Sequence, residues 1–333
     1  MNTKTTLITF LMIMLLTAGN SPAELELPSV EFSGFADVLW QIDNGPEDSE
    51  DFAIGQAEID LAASLSDRVN LEMALAYDPD SGSFGLGALV MDLALLGSGE
   101  NHFHHSNTIE NAGLLIGQMD VPFGIDWMFY PSLDRQFITG PLVVADTHDG
   151  WNDLGIAVYL ETSLLNAVIY RLNGTGYEAP FLPDDSVGGD ISGAFGGRLG
   201  LNALSGFELG GSFASIGNQD GDQVSSLWGV DAQWATGPVY FKGEYIVQKV
   251  GLDAALELQH DGSYVEGMYH PGGYFLLARY GSFSPEGDEF SRESRVCLGA
   301  GYVVQDGAEI RLEHQIGIDV APDRTVAQFV VGF

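Results

Sequence analysis

Apolar residues in this chain recur at every second position in short pieces, each bounded by Gly, Asp, Asn, Ser or Pro. This pattern constrains the fold most, because beyond residue 23 nothing reaches the ~18 consecutive apolar residues that a helix needs to cross a bilayer. Such a chain either buries the apolar face of its sheet in a core of its own or closes into a barrel and turns that face toward lipid. Sixteen segments carry the pattern: 30–41, 52–65, 69–77, 86–96, 112–121, 152–161, 164–173, 191–204, 207–216, 224–235, 239–249, 263–269, 274–283, 294–304, 308–318 and 324–333.

Sixteen is even, as a barrel with both ends on one side requires. The connections alternate in length, with tight turns at 66–68, 162–163, 205–206, 236–238, 270–273 and 305–307 and longer loops at 43–51, 174–190, 250–262 and 284–293. Short turns on one rim and long loops on the other describe a transmembrane barrel; a soluble sandwich gives no reason for the alternation. The segment 97–111 is the exception, long for a turn. Within strands charge sits with charge: Glu309, Arg311, Glu313 and Gln315 share one side, and Ile310, Leu312, His314 and Ile316 the other. Alternation alone does not say which side faces inward.

Both ends favour the membrane. Lys4 precedes the apolar run 7–16, and the small residues Ser21 and Ala23 follow, so residues 1–23 read as a cleaved signal peptide and 24–333 as the barrel domain. In 324–333 Ala327, Phe329, Val331 and the terminal Phe333 fall on one face, as a strand sealing a membrane barrel would place them. The fold expected is an all-β, antiparallel transmembrane β-barrel of about 16 strands in a bacterial outer membrane, in contact with its lipid.

The chain holds 47 Asp and Glu against 12 Lys and Arg, a net charge of −35. Such acidity excludes a nucleic-acid partner, while 45% hydrophobic residues and 43 Gly exclude a disordered acidic chain. The one cysteine, Cys297, forms no internal disulfide. With the polar faces toward a lumen, Glu58, Asp60 and Glu244 line it among the acids, and Arg171, Arg198, Lys242, Arg279 and Arg311 among the bases. Carboxylates outnumber cations there, so the wall is expected to concentrate cations.

The segment 122–150 is too long for a hairpin and too apolar to hang in water. Following the fifth strand, it is placed to fold inward and narrow the barrel, with Asp126, Asp134, Arg135, Asp146 and Asp149 as constriction candidates; packed on its own aromatics, it would instead cap the surface. Its approach, LLIGQMDVPFGID at 114–126, resembles the strand-to-loop signature of the phosphate-selective porin O and P family. Thr139-Gly140-Pro141, Asp149-Gly150-Trp151 and Asp153-Leu154-Gly155 resemble that family's exit from the same loop. The resemblance implies a sixteen-stranded, trimeric outer-membrane channel with an inward-folded third loop. Its charges depart from the family, whose phosphate-selective members need cationic residues along the pore.

Other chemistry has little support. His102, His104 and His105 lack the convergent partners of a metal site, and no G-x-S-x-G or H-E-x-x-H motif is present. No cofactor, metal or catalytic residue is expected. The function expected is passive diffusion of small hydrophilic solutes or ions with a preference for cations. The alternatives are a phosphate or other anion channel, a barrel-embedded hydrolase and a secreted soluble β-protein.

Overall fold

The computed structural model describes residues 29–44, 49–79, 81–97, 111–177, 191–218, 223–253, 256–286, 291–319 and 322–333. These form sixteen strands: β1 (Ser29–Asn44), β2 (Ser49–Ser66), β3 (Val69–Asp78), β4 (Ser83–Leu96), β5 (Asn111–Asp120), β6 (Asn152–Glu161), β7 (Leu165–Leu172), β8 (Ile191–Leu204), β9 (Phe207–Asn218), β10 (Gln223–Thr236), β11 (Val239–Asp253), β12 (Leu256–Tyr269), β13 (Tyr274–Ser284), β14 (Glu293–Gln305), β15 (Ala308–Asp319) and β16 (Asp323–Gly332). Each pairs antiparallel with its neighbours in sequence, and β1 closes on β16 from Phe35↔Gly332 to Asn44↔Asp323. Phe333 continues the seam, its N–H donating to Gly34 O at 3.0 Å and its carbonyl accepting from Gly34 N at 3.2 Å. Closure leaves no strand edge, the condition lipid imposes.

The structure decides which face is outside. On β10 Val230 is 58% exposed and the adjacent Asp231 3%; on β15 Leu312 is 52% exposed and Glu313 1%. Apolar side chains cover the exterior while charged ones are buried within, the inverse of a soluble barrel. An exterior of this kind is at home only against lipid, which makes the chain a transmembrane β-barrel.

Several strands run further than the alternation showed. β11 and β12 continue as one ladder through Gly251↔Glu257, so most of the expected 250–262 loop is strand. Where a hairpin rises out of the lipid, backbone pairing holds it with no apolar outer face, and the sequence signal vanishes. In β2 a bulge opposite Ala36 and Val38 shifts the phase, so that Ile54 points outward and Gln56, Glu58 and Asp60 point inward. The expected signal peptide, His102, His104 and His105, and most of the segments 97–111 and 174–190 lie outside the described residues.

Part of the core is inside the barrel. Phe123, Leu142, Val143 and Trp151, from the segment joining β5 to β6, pack with Leu115, Tyr170, Leu172, Ala194, Ile216, Leu227 and Tyr264 of the inner wall. The third loop is thus a folded layer seated in the lumen.

Candidate functional site

The β5–β6 loop carries one turn of 3-10 helix, Asp126–Phe129, and one of α-helix, α1 (Leu142–Ala145). It is held by wall side chains along its whole course. Ser212 Oγ accepts from Gly124 N at 2.9 Å, and Glu244 accepts from the backbone N–H of both Ile125 and Asp126. Gln56 receives Ser132 N at 2.6 Å and donates to Tyr130 O at 3.4 Å. Arg311 donates to Ser132 O at 2.7 Å and Arg135 O at 2.5 Å. Glu313 accepts from Ile138 N at 2.8 Å and from the Thr139 hydroxyl, and Arg279 donates to Thr139 O at 2.9 Å and Gly140 O at 3.1 Å. Finally α1 rests on β12 at Gly262, where a Cβ would come within 2.8 Å of Val143.

These anchors come from β9, β11, β12, β13 and β15, with Gln56 of β2 touching the loop's near edge, so the loop hugs that wall and leaves the inner faces of β3, β4 and β2 beyond Gln56 as the open side. Exposure agrees: inner-face Glu58, Asp60, Ala74 and Ala76 remain partly exposed, and Glu72 is exposed, whereas Glu244, Arg279, Arg311 and Glu313 are buried.

The expected site residues fall into three groups. Lys242 lies 2.7 Å from Asp126 and 3.4 Å from Glu266, with Glu244 on the same inner face of β11. Although burial works against its charge, the Lys242 ammonium holds Asp126 below the usual carboxylate range. Arg198 pairs with Glu208 and Asp231, each at 2.6 Å. Arg279 and Arg311 serve the loop as above. These cations are spent on structure.

The second group is acidic. Glu58 and Asp60 lie within electrostatic reach of Asp134 on the loop, and Glu58 also of Asp120 at the end of β5. Asp149 joins Tyr130 and Arg135 nearby; burial raises its pKa, with Arg135 opposing. Asp146 faces Glu293 and Arg295, and burial, then Glu293, pushes it up to about 6.

Arg171 forms the third group alone, as a correction. It points outward, paired with the outward Phe195 and donating to Ala194 O at 3.1 Å. Its strand is inverted because Tyr170 and Leu172 turn inward to pack against the loop, with Trp151 edge-on to Tyr170 at 6.3 Å. The lumen face of β7 is apolar there, so charge was the wrong guide.

Gln56, Asp120 and Tyr130 were not singled out from sequence. Gln56 was masked by the bulge in β2, and the inward aromatics of β6 and β7 could be found only by asking what the apolar loop packs on.

No protein-family model matches the chain, and no curated protein matches it. Solved structures do. It is similar to the anion-selective porin from Comamonas acidovorans (TM-score 0.68, 13% identity, 92% of this chain and 100% of that one). It is also similar to OmpF of Salmonella typhi in complex with daunomycin (0.66, 11%, 92% and 98%) and to the outer membrane channel DcaP of Acinetobacter baumannii (0.65, 11%, 95% and 99%). The fold is therefore that of the sixteen-stranded outer-membrane porins.

Proposed function

We propose that this chain is a passive outer-membrane diffusion channel for small hydrophilic solutes and ions, preferring cations and assembling as a homotrimer, with no catalytic role. Residues 1–23 serve as its export signal. The observation that carries the selectivity is the segregation of charge. The six strands β1 to β6 contain no Lys or Arg, while Asp37, Glu58, Asp60, Glu72, Asp92 and Asp153 lie on their inner faces. The inner cations Arg198, Lys242, Arg279, Arg295 and Arg311 stand on β8 to β15 and Arg324 on β16, each against carboxylates or loop carbonyls, Arg324 against Asp43 of β1. Of the carboxylates, Glu58, Asp60 and Glu72 are accessible on the open side, so a solute there meets negative charge, which enriches cations and repels anions, most strongly at low salt.

The kinship we infer with the phosphate-selective porin O and P family rests on residues 114–126, which lead from β5 into the seated loop. Phosphate selectivity does not come with it, because the open side has no Lys or Arg on its strands and Arg171 points outward. Reversal potentials of the purified protein in planar bilayers under a KCl gradient test the reading: a potential favouring K⁺ is expected, and one favouring Cl⁻ would overturn it.

A further inference from the structure

β2 carries one residue more than β1 offers partners for. Ala57 pairs with Ala36 and Ile54 with Val38, so Gly55 and Gln56 together stand opposite Asp37. Such a bulge breaks the alternation and re-aims a side chain. Without it Gln56 would follow Ile54, which is 49% exposed, toward lipid; with it Gln56 turns into the lumen. Asp37 fixes the turned segment from the neighbouring strand. Its Oδ2 accepts from Gln56 N at 3.2 Å, and its carboxylate fills the space that a Cβ at Gly55 would take. Asp37 is only 2% exposed, so it serves the bulge and not the solute path.

The amide aimed in this way meets the tip of the β5–β6 loop. Gln56 Oε1 accepts from Ser132 N at 2.6 Å and Nε2 donates to Tyr130 O at 3.4 Å, so one side chain engages the backbone on either side of Pro131. Only a group with both a donor and an acceptor can do this, and an amide has both. Across the β16–β1 seam Arg311 of β15 donates to Ser132 O and Arg135 O, while Leu133 lies against Gly332. The tip 130–135 is therefore pegged from two sides. Tyr130 and Asp134 stay exposed on it, and Asp134 comes within electrostatic reach of Glu58 and Asp60. Between its carboxylates the open wall offers little bulk, with Ala74 and Ala76 of β3 and Gly85 and Gly87 of β4 on the inner face. The width of the path then follows the position of the loop tip.

We propose that Gln56 sets the size limit of the solute path as the positioning residue of the loop tip, aimed by the bulge in β2 that Asp37 holds. The proposal rests on the channel reading above and names the residue that fixes its aperture. Without the two Gln56 bonds the tip is held from the β15 side alone. It then recoils toward Arg311 and opens a gap along β1 and β2 that joins the existing path. Loss of two ordinary hydrogen bonds lowers the ratio of pegged to free tip on the order of tenfold.

Two measurements on the purified protein test this: single-channel recording in planar bilayers with KCl on both sides, and swelling of proteoliposomes in neutral oligosaccharides of increasing length. In Gln56→Ala, excursions to higher conductance should become on the order of tenfold more frequent, and longer oligosaccharides should enter. Resistance of the barrel to heat in detergent should stay as in the wild type, because the strand ladders are untouched. Asp37→Ala should raise the size limit in the same direction, because Gln56 loses its anchor; a carboxylate acting through charge alone would shift the reversal potential and leave the limit in place. A size limit that is unchanged or lower in Gln56→Ala overturns the proposal, as does an Asp37→Ala channel altered in reversal potential alone. A wild-type barrel that admits neither sugar nor current overturns the channel reading as well. A wild-type channel that prefers Cl⁻, with a raised limit in both variants, supports the aperture and overturns only the cation preference.

Discussion

Lys242 Nζ lies 2.7 Å from Asp126 Oδ1 and 4.2 Å from the centre of the Phe129 ring, so one β11 side chain holds two residues of the lumen loop. Both charges are removed from water, and each is tolerable only because of the other. Lys242→Met would strand the Asp126 carboxylate at a local cost on the order of 3–5 kcal/mol. The loop should then leave the wall intermittently, seen as enlarged current noise and altered single-channel conductance. Lys242→Met combined with Asp126→Asn should restore quiet channels, because the stranded charge is gone. Quiet channels in the single variant would show that the hydrogen bonds of Glu244 and Arg279 suffice.

Gly124 has φ +67°, and a Cβ there would come within 2.6 Å of Glu244 Oε2. Backbone strain and a displaced clamp act together, so Gly124→Ala should cost the loop about 1–3 kcal/mol of seating. The expected outcome is a barrel that still assembles, judged by its resistance to heat in detergent, but whose loop is cut faster by protease than in the wild type.

How far the sequence spoke depended on whether each residue's surroundings were local. Alternation reports a face, so Val230 beside Asp231 or Leu312 beside Glu313 could be read from spacing, and strand number with them. Signals failed where a distant partner set the orientation. Tyr170 turns inward because Trp151 is there, the ladder of Gly251 and Glu257 extends where no lipid asks for apolar residues, and one bulge reverses the phase of β2 at Gln56. The loop motif 114–126 told where the chain enters the lumen; which wall it meets is fixed by Glu244, Arg279, Arg311 and Glu313, more than 100 residues away.

Arg171 offers a control for the electrostatics. Because it lies on the outer face beside Phe195, Arg171→Gln should leave the reversal potential within about 2 mV of wild type, as a charge outside the wall is screened from the lumen path. Glu58→Gln, on the open inner face, should shift it toward zero. A shift of similar size in both would mean that Arg171 reaches the solute path after all.

His148 makes the seating of the loop depend on pH. Its ring is buried, lies edge-on to Phe123 at 4.9 Å, and has Nδ1 2.8 Å from Thr147 Oγ1. Burial lowers its pKa from 6.5 to about 4, and the Asp126 carboxylate offsets only part of this. Above pH 6.5 the imidazole is neutral whether the loop is seated or free, so its contribution to seating is complete. Between 6.5 and 4 only the free loop takes up the proton, and seating weakens as pH falls, by about 3 kcal/mol across that window. Asp146 works in the opposite sense: its pKa is raised to about 6 in the seated loop, so protonation there favours seating as pH falls toward 3.8. The two contributions are of similar size, so current noise in planar bilayers should change little between pH 6.5 and 4 in the wild type and rise in Asp146→Asn, where His148 is less opposed. In His148→Phe only the carboxylates remain to titrate, and acidification should quiet the channel.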